Sequence, residues 1–191
     1  MTDPEQGLRA RLVDAGVELV DREGLGALSL REIARRAGVS HGAPRRHFPT
    51  HLDLLSAVAR RGFADLAARV QEVPDAAPPR IRVAELARVY LDFALARPGM
   101  YELMFRHDLL ESGRLGLRET SLPLFGVLVD LVGAVRPGAD ARTVAAALWA
   151  NLHGLAQLWR WGSLSLATGA DDVSGLLGAL LDAHLGPEAP A

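Results

Sequence analysis

The stretch from Ser29 to Phe48 constrains the fold most, because its residue types specify two short helices and the tight turn between them. Ser29 is a favourable N-cap, and Glu32 follows three positions later, which is the spacing of a capping box. A helix therefore starts at Leu30, and Gly38 supplies the left-handed conformation that ends it. Two short helices joined by a glycine-containing turn predict a helix-turn-helix unit.

The second helix of this unit is predicted over residues 41–47, with Ser40 as its N-cap. Small residues near its start let the backbone approach another surface closely, and two arginines add positive charge. The second helix of a helix-turn-helix enters the major groove with its N-terminal end first. We therefore expect double-stranded DNA as a partner. The residues expected to contact DNA are Arg31, Ser40, His41, Gly42, Ala43, Arg45, Arg46, His47 and His51.

Local charge supports this interpretation although the whole chain is slightly acidic. The chain carries 21 basic residues, all arginine, against 23 acidic residues. Between Leu28 and His51, five arginines face the single acid Glu32. A short basic segment on an acidic body is typical of a protein that presents one edge to phosphate. A charged helix that is merely solvated is the alternative interpretation, and the coincidence of capping, turn and charge disfavours it.

The same residues carry a family resemblance, in the motifs Val39-Ser40, Gly42, Arg46-His47-Phe48-Pro49 and Asp53-Leu54-Leu55. They resemble the end of the DNA-binding domain of tetracycline-repressor-like (TetR-family) transcriptional regulators, and the resemblance spans roughly residues 8 to 60.

Two positions depart from the family pattern. The family usually has an aromatic residue, often tyrosine, where this chain has Arg45, and a lysine where it has His51. Arginine binds phosphate well, whereas an imidazole is a weaker contact than lysine. The resemblance therefore implies the fold and a DNA-binding role, but not the operator sequence.

Helical patterns continue on both sides of this unit and predict an all-α chain of about nine helices. Apolar positions recur at helical spacing over residues 4–23, and Thr50 with Asp53 starts a fourth helix that runs to about Val73. The proline-rich stretch of residues 73–79 is the predicted linker. Later helices are predicted over 80–96, from 99 to about 110, in a segment ending near 135, and over 140–161 and 171–185.

These patterns predict a three-helix helix-turn-helix domain at residues 1–50, a linking helix at 51–73, and a helical bundle at 79–186 that binds ligand and dimerises. One boundary stays open, because either Pro123 kinks one helix or Ser121 caps a new one.

The last two predicted helices are apolar on more than one face. Val144, Leu148, Leu152, Leu155 and Trp159 form one stripe on the first of them, and Ala146, Trp149, His153 and Ala156 form a neighbouring one. One face can fill the domain core while the other needs a partner, so we expect a homodimer through these two helices. A larger intramolecular core is the alternative.

The segment from Trp149 to Gly154, together with residues 97–101, is similar to a C-terminal domain type of the same family that carries a Trp-x-x-x-His-Gly signature. The resemblance implies a ligand-responsive domain and a small-molecule effector of unnamed identity. Most aromatic and methionine side chains of this region are candidates to line an apolar pocket, although such residues are more often plain core. They are Tyr90, Phe93, Met100, Tyr101, Met104, Phe105, Phe125, Trp149 and His153.

Enzyme, cofactor and metal signals are weak in this sequence. There is no cysteine, no phosphate-binding glycine motif and no histidine pair at metal spacing on one continuous helix. His47 and His51 are four apart but straddle Pro49, and His107-Asp108 is better read as part of a surface ion pair. We therefore expect neither catalysis nor a cofactor or metal.

The sequence also predicts a cytoplasmic protein that does not enter a membrane. The start of the chain is polar and acidic, unlike a signal peptide. The longest uncharged run, residues 143–159, contains Asn151, His153 and Gln157. Such a run is unsuited to a bilayer span.

The resulting hypothesis is a homodimeric transcriptional regulator, most often a repressor in the resembled family, that releases a near-palindromic operator when a small molecule binds. Two alternatives stay open. The first is a helical small-molecule-binding protein that has lost operator recognition, which the departures at Arg45 and His51 would explain. The second is a transcriptional activator of the same fold.

Overall fold

The structure, a computed structural model, describes residues 4–106, 108–109 and 116–187 and confirms an all-α fold. These residues contain ten α-helices and no strand. The helices are α1 (Pro4–Glu23), α2 (Leu30–Arg36), α3 (Ala43–His47), α4 (His51–Gln71), α5 (Pro79–Ala96), α6 (Pro98–Met104), α7 (Leu117–Val135), α8 (Ala141–Arg160), α9 (Ser163–Thr168) and α10 (Ser174–Leu185), with a 3₁₀ turn at Leu25–Ala27.

The chain forms two compact units, and the first contains residues 1–65 and 96–121. Helices α1, α2 and α3 pack on one another there, around the fully buried side chains of Leu12, Leu19 and Ile33. Helix α6 packs on α1 at Gly99, where a Cβ atom would lie 2.4 Å from the carbonyl oxygen of Val20. Only glycine permits so close an approach of two helix backbones.

The second unit contains residues 66–95 and 122–191. Helix α8 packs against α10 and α9. Leu148, Leu152 and Leu155 on α8 are buried, as are Leu177 and Leu181 on α10. The first apolar stripe identified in the sequence therefore fills the core of this unit. The predicted domains at 1–50, 51–73 and 79–186 stay a prediction, because contacts do not test independent folding.

Helix α3 begins later than the sequence predicted. Gly42 rather than Ser40 is its N-cap, and Pro44 occupies its first turn. Proline favours the start of a helix, since its fixed φ suits the first turn and its missing N–H costs nothing there. The Ser40 carbonyl instead accepts a hydrogen bond from the Ala43 amide in the preceding turn.

Other boundaries also differ from the prediction. Helix α6 ends at Met104, and Leu110, its predicted end, lies outside the described residues. Pro123 lies inside α7, so Ser121 does not start a new helix. Helix α10 begins at Ser174 rather than at residue 171. The prediction missed α9, which is flanked by left-handed glycines at 162 and 169. No helix in the described ranges is long and apolar enough to cross a bilayer.

Candidate functional site

The start of α2 forms as predicted, but only half of the capping box closes. The Ser29 hydroxyl accepts a hydrogen bond from the Glu32 amide at 3.2 Å. The Glu32 carboxylate instead accepts from Arg35 Nη2 at 2.6 Å and from Arg36 Nε at 3.1 Å. These hydrogen bonds, first from Arg35 and then from Arg36, lower the pKa of Glu32 from 4.5 to about 2.

The ion pairs of α2 reduce the positive charge that the sequence suggested for this segment. Arg36 does not point outward as predicted, because its side chain is only 18% exposed and also contacts Glu23 on α1. Arg35 is exposed but remains paired with Glu32. Two of the five arginines counted in the basic segment are therefore neutralised within the protein itself.

The remaining three arginines of the segment, Arg31, Arg45 and Arg46, are exposed. None of them has an acidic partner among the residues that the structure describes. Of the nine predicted DNA contacts, only Ala43 and His47 are half-buried, and the others are exposed. The surface that remains positively charged is thus concentrated on and beside α3.

The arginines of α3 face outward because the opposite side of the helix is buried. Pro44 and Phe48, four positions apart, are both buried and fix the inner face. One helical turn is 3.6 residues, so Arg45 and Arg46 fall on the sides turned away from this face. This is the orientation that a groove-binding helix requires.

The start of α4 completes the surface. Thr50 and Asp53 cap it reciprocally: the Thr50 amide donates to Asp53 Oδ2 at 2.9 Å, and the Asp53 amide donates to Thr50 Oγ1 at 3.1 Å. The next residue after Thr50, His51, is exposed at the positive end of a 21-residue helix dipole. A phosphate beside His51 would therefore meet favourable backbone charge.

A feature that the sequence did not reveal ties α6 into the first unit. Arg97, the N-cap residue of α6, donates from Nη2 to Asp21 on α1 at 2.7 Å and from Nη1 to Asp65 on α4 at 2.8 Å. No local signal identifies this contact, because the three residues are far apart in the sequence.

In the second unit, four of the predicted ligand-binding residues form one cluster. Tyr90 Oη lies 3.0 Å from His153 Nδ1 and accepts a hydrogen bond from Trp149 Nε1 at 3.2 Å. The Phe125 ring lies 6.1 Å from the Trp149 ring, centroid to centroid. Burial lowers the pKa of His153, which favours the neutral imidazole. A neutral His153 with its proton on Nε2 can accept from Tyr90 and completes this chain of hydrogen bonds.

The other five predicted ligand residues lie elsewhere. Phe93 is buried in the second unit, with the Arg69 guanidinium over its ring at 5.5 Å. Met100, Tyr101, Met104 and Phe105 belong to the first unit, where the Phe105 ring packs edge-on against Phe63 at 5.7 Å. The structure therefore distributes the nine candidates over both units.

A groove of about 550 Å³ on the second unit was not anticipated. It runs along the end of α4 and one side of α5. Its wall combines apolar side chains with three acids, and it includes Val73, Ile81, Val89, Glu72, Glu85 and Asp92. None of these residues is among the aromatic or methionine side chains that the sequence singled out.

Comparison with known proteins agrees with this architecture. Residues 12–58 match the family described as bacterial regulatory proteins, tetR family, and residues 83–184 match the tetracyclin repressor-like C-terminal domain. The transcriptional repressor Rv3405c of Mycobacterium tuberculosis is 28% identical over 92% of this chain and 85% of its own length. The regulator YobS of Bacillus subtilis is 29% identical, over 55% of this chain and 56% of its own.

Solved structures extend the likeness over nearly the whole chain. A protein of unknown function from Rhodococcus sp. RHA1 superposes with a TM-score of 0.76 at 31% identity, covering 93% of each chain. The multidrug binding protein EbrR in complex with ethidium gives a TM-score of 0.65 at 27% identity, covering 93% of this chain and 98% of its own. The chain therefore belongs to the TetR family and is a DNA-binding transcriptional regulator with a helix-turn-helix.

Proposed function

We propose that this regulator is a repressor that leaves a near-palindromic operator when a small molecule binds its C-terminal domain. The observation that carries the proposal is the exposed pair Arg45 and Arg46 on α3, without an acidic partner in the described part of the chain, while neighbouring arginines are neutralised. Unpaired arginines on an exposed helix keep positive charge where phosphate and base edges are met. The M. tuberculosis relative is named a repressor, which supports repression rather than activation.

A homodimer through α8 and α10 would supply two such helices. Trp149 and Leu158 on α8 are 39% and 40% exposed, next to the exposed small residues Ala147 and Ala150. Small residues let two helices approach closely, and exposed aromatic and aliphatic groups gain free energy on burial. A two-fold pairing of this face would supply one α3 helix for each half-site of a near-palindromic operator.

The effector proposed is an apolar or aromatic small molecule. EbrR binds ethidium, which is a precedent for an aromatic ligand in a protein of this fold. In this chain, the Tyr90, Phe125, Trp149 and His153 cluster combines aromatic surface with polar atoms that could orient a ligand. We also propose that the C-terminal domain is of the Trp-x-x-x-His-Gly type, through Trp149, His153 and Gly154.

Selection of duplexes from a random pool tests the proposal, with and without a panel of apolar and aromatic compounds that includes ethidium. We expect enrichment of an inverted repeat, and loss of binding with at least one compound. Arg46→Gln should abolish enrichment, whereas Arg35→Gln, which removes the same charge from an ion-paired position, should retain it. A strictly monomeric protein that enriches no inverted repeat at low salt would contradict the proposal.

The sign of regulation needs a separate measurement, because an activator would use the same DNA contacts. A reporter placed behind the selected operator should increase its output when the gene for this protein is deleted. Decreased output would identify an activator. Retained ligand binding without any salt-dependent DNA binding would identify a helical ligand-binding protein that has lost operator recognition.

A further inference from the structure

We infer that Arg9 on α1, which is not among the nine residues predicted to contact DNA, binds a backbone phosphate beside the end of α3. The inference rests on the DNA-binding function. It adds a contact that the helix-turn-helix motif does not contain, and it predicts a contribution to affinity without a contribution to sequence preference.

The position of Arg9 is fixed by an aromatic contact. Its guanidinium carbon lies 5.0 Å from the centroid of the Phe48 ring. Phe48 is the C-cap of α3 and is 1% exposed, whereas Arg9 itself is exposed. The guanidinium therefore covers the corner that joins α3 to α4. In the sequence, this corner is flanked by Arg46 on one side and His51 on the other.

The contact with the Phe48 ring leaves the N–H donors of Arg9 available. A guanidinium over a ring is attracted through its positive charge, and its N–H groups can still donate to another acceptor. From Gly7 onward, no described residue forms an ion pair or hydrogen bond with Arg9. Arg11, two positions later, differs because its Nη2 donates to the Ala37 carbonyl oxygen. Arg11 thus uses a hydrogen-bond donor within the protein, whereas the donors of Arg9 have no acceptor among the residues described from Gly7 onward.

Phosphate is the acceptor that this placement favours. The N-terminal end of α3 enters the groove, so its C-terminal end and the start of α4 lie toward the strand that borders the groove. A planar fork of N–H donors matches two phosphate oxygens in a bidentate contact. Contacts of this kind position a protein on the duplex and do not distinguish bases.

The salt dependence of binding tests the inference. The full-length protein would be titrated with the selected operator and with a random duplex between 50 and 200 mM salt. Arg9→Met should reduce the slope of log K against log salt by about 0.9 per bound protomer. Between 50 and 200 mM salt, the affinity of the variant should therefore fall by a factor about 3.5 times smaller per protomer than that of the wild-type protein, on both duplexes. Arg9→Lys, which keeps the charge, should retain most of the slope.

The matched control is Arg22→Met, which removes a 72% exposed arginine paired with Glu18 at the other end of α1. It should leave the slope unchanged. An Arg9→Met variant that melts earlier but keeps the wild-type slope would show that Arg9 only covers Phe48, and would overturn the inference. Failure of the wild-type protein to show any salt-dependent DNA binding would instead refute the DNA-binding function itself.

A second measurement uses the wild-type protein alone and does not depend on whether a variant folds. Arginine modification by phenylglyoxal on the wild-type protein, read by mass spectrometry, should show Arg9 protected by both duplexes and Arg22 equally reactive with and without DNA. Equal reactivity of Arg9 in the presence and absence of bound DNA would overturn the inference.

Discussion

Replacing Arg97 by methionine should destabilise the first unit by about 2 kcal/mol. Its guanidinium holds three helices together, since it stands at the start of α6 and donates to Asp21 on α1 and Asp65 on α4. Burial by itself would lower the pKa of Arg97, but hydrogen bonds to Asp21 and then to Asp65 outweigh it and raise the pKa. Methionine keeps most of the aliphatic stem and removes the charge and the donors.

The magnitude follows from how far water reaches the three side chains. Breaking a fully buried ion pair costs about 3–5 kcal/mol, whereas an exposed pair contributes about 1 kcal/mol or less. The side chain of Arg97 is 16% exposed, and those of Asp21 and Asp65 are 29% and 39% exposed. Water can partly rehydrate both carboxylates after the substitution, so the cost falls between these limits. About 2 kcal/mol corresponds to a fall in Tm of about 4–8 °C for a chain of this size.

Thermal and urea unfolding measure this loss. The control is Arg88→Met, because Arg88 and Glu85 form a pair in which both side chains are well exposed, at 58% and 44%. That control should cost about 0.5 kcal/mol or less. A double-mutant cycle should give a larger coupling of Arg97 to Asp21, a two-pronged contact, than to Asp65. An Arg97→Met loss no larger than that of Arg88→Met would refute the reasoning.

Three further predictions concern the same unit. Gly99→Ala should lower the free energy of unfolding in urea by about 2 kcal/mol or more, because the new Cβ would lie 2.4 Å from the Val20 carbonyl oxygen. The control Gly126→Ala should be neutral or stabilising, because its new Cβ would have nothing within 4 Å. Ser56→Ala should leave the free energy of unfolding unchanged or raise it by up to about 1 kcal/mol, since the Ser56 hydroxyl is buried without a partner among described residues; a clear loss would reveal a missed hydrogen bond. The pKa of Glu32 is lowered from 4.5 to about 2, so its ionised carboxylate should contribute to the free energy of unfolding. This contribution should be complete above pH 4.5 and should be lost as the pH falls toward 2. Carboxyl NMR titration of Glu32 checks this, and a midpoint near 4.5 in the folded protein would contradict it.

The sequence alone determined the features that are set within one helical turn. Ser29 at the start of α2 and the Thr50–Asp53 pair at the start of α4 cap their helices as expected. Gly38 adopts the left-handed conformation, with φ of 67°. Such signals depend on neighbours three or four positions away, so they survive without knowledge of the rest of the fold. Helical periodicity in turn gave the all-α class, because every long apolar pattern had the same period.

Tertiary structure decided what each charged or aromatic side chain does. The chain contains 21 arginines with the same side chain, yet Arg36 is neutralised by acids on two helices, Arg97 joins three helices, and Arg9 lies over the Phe48 ring. These outcomes depend on which helices pass close together, and the partners are up to 76 residues apart in sequence. Local pattern carries no information on pairings between helices, unlike the Glu32–Arg35 and Glu32–Arg36 pairs within α2. Charge counting along the sequence therefore predicted the DNA-contacting segment. The pairs within α2 and the packing of α2 on α1 decided which of its charges are neutralised.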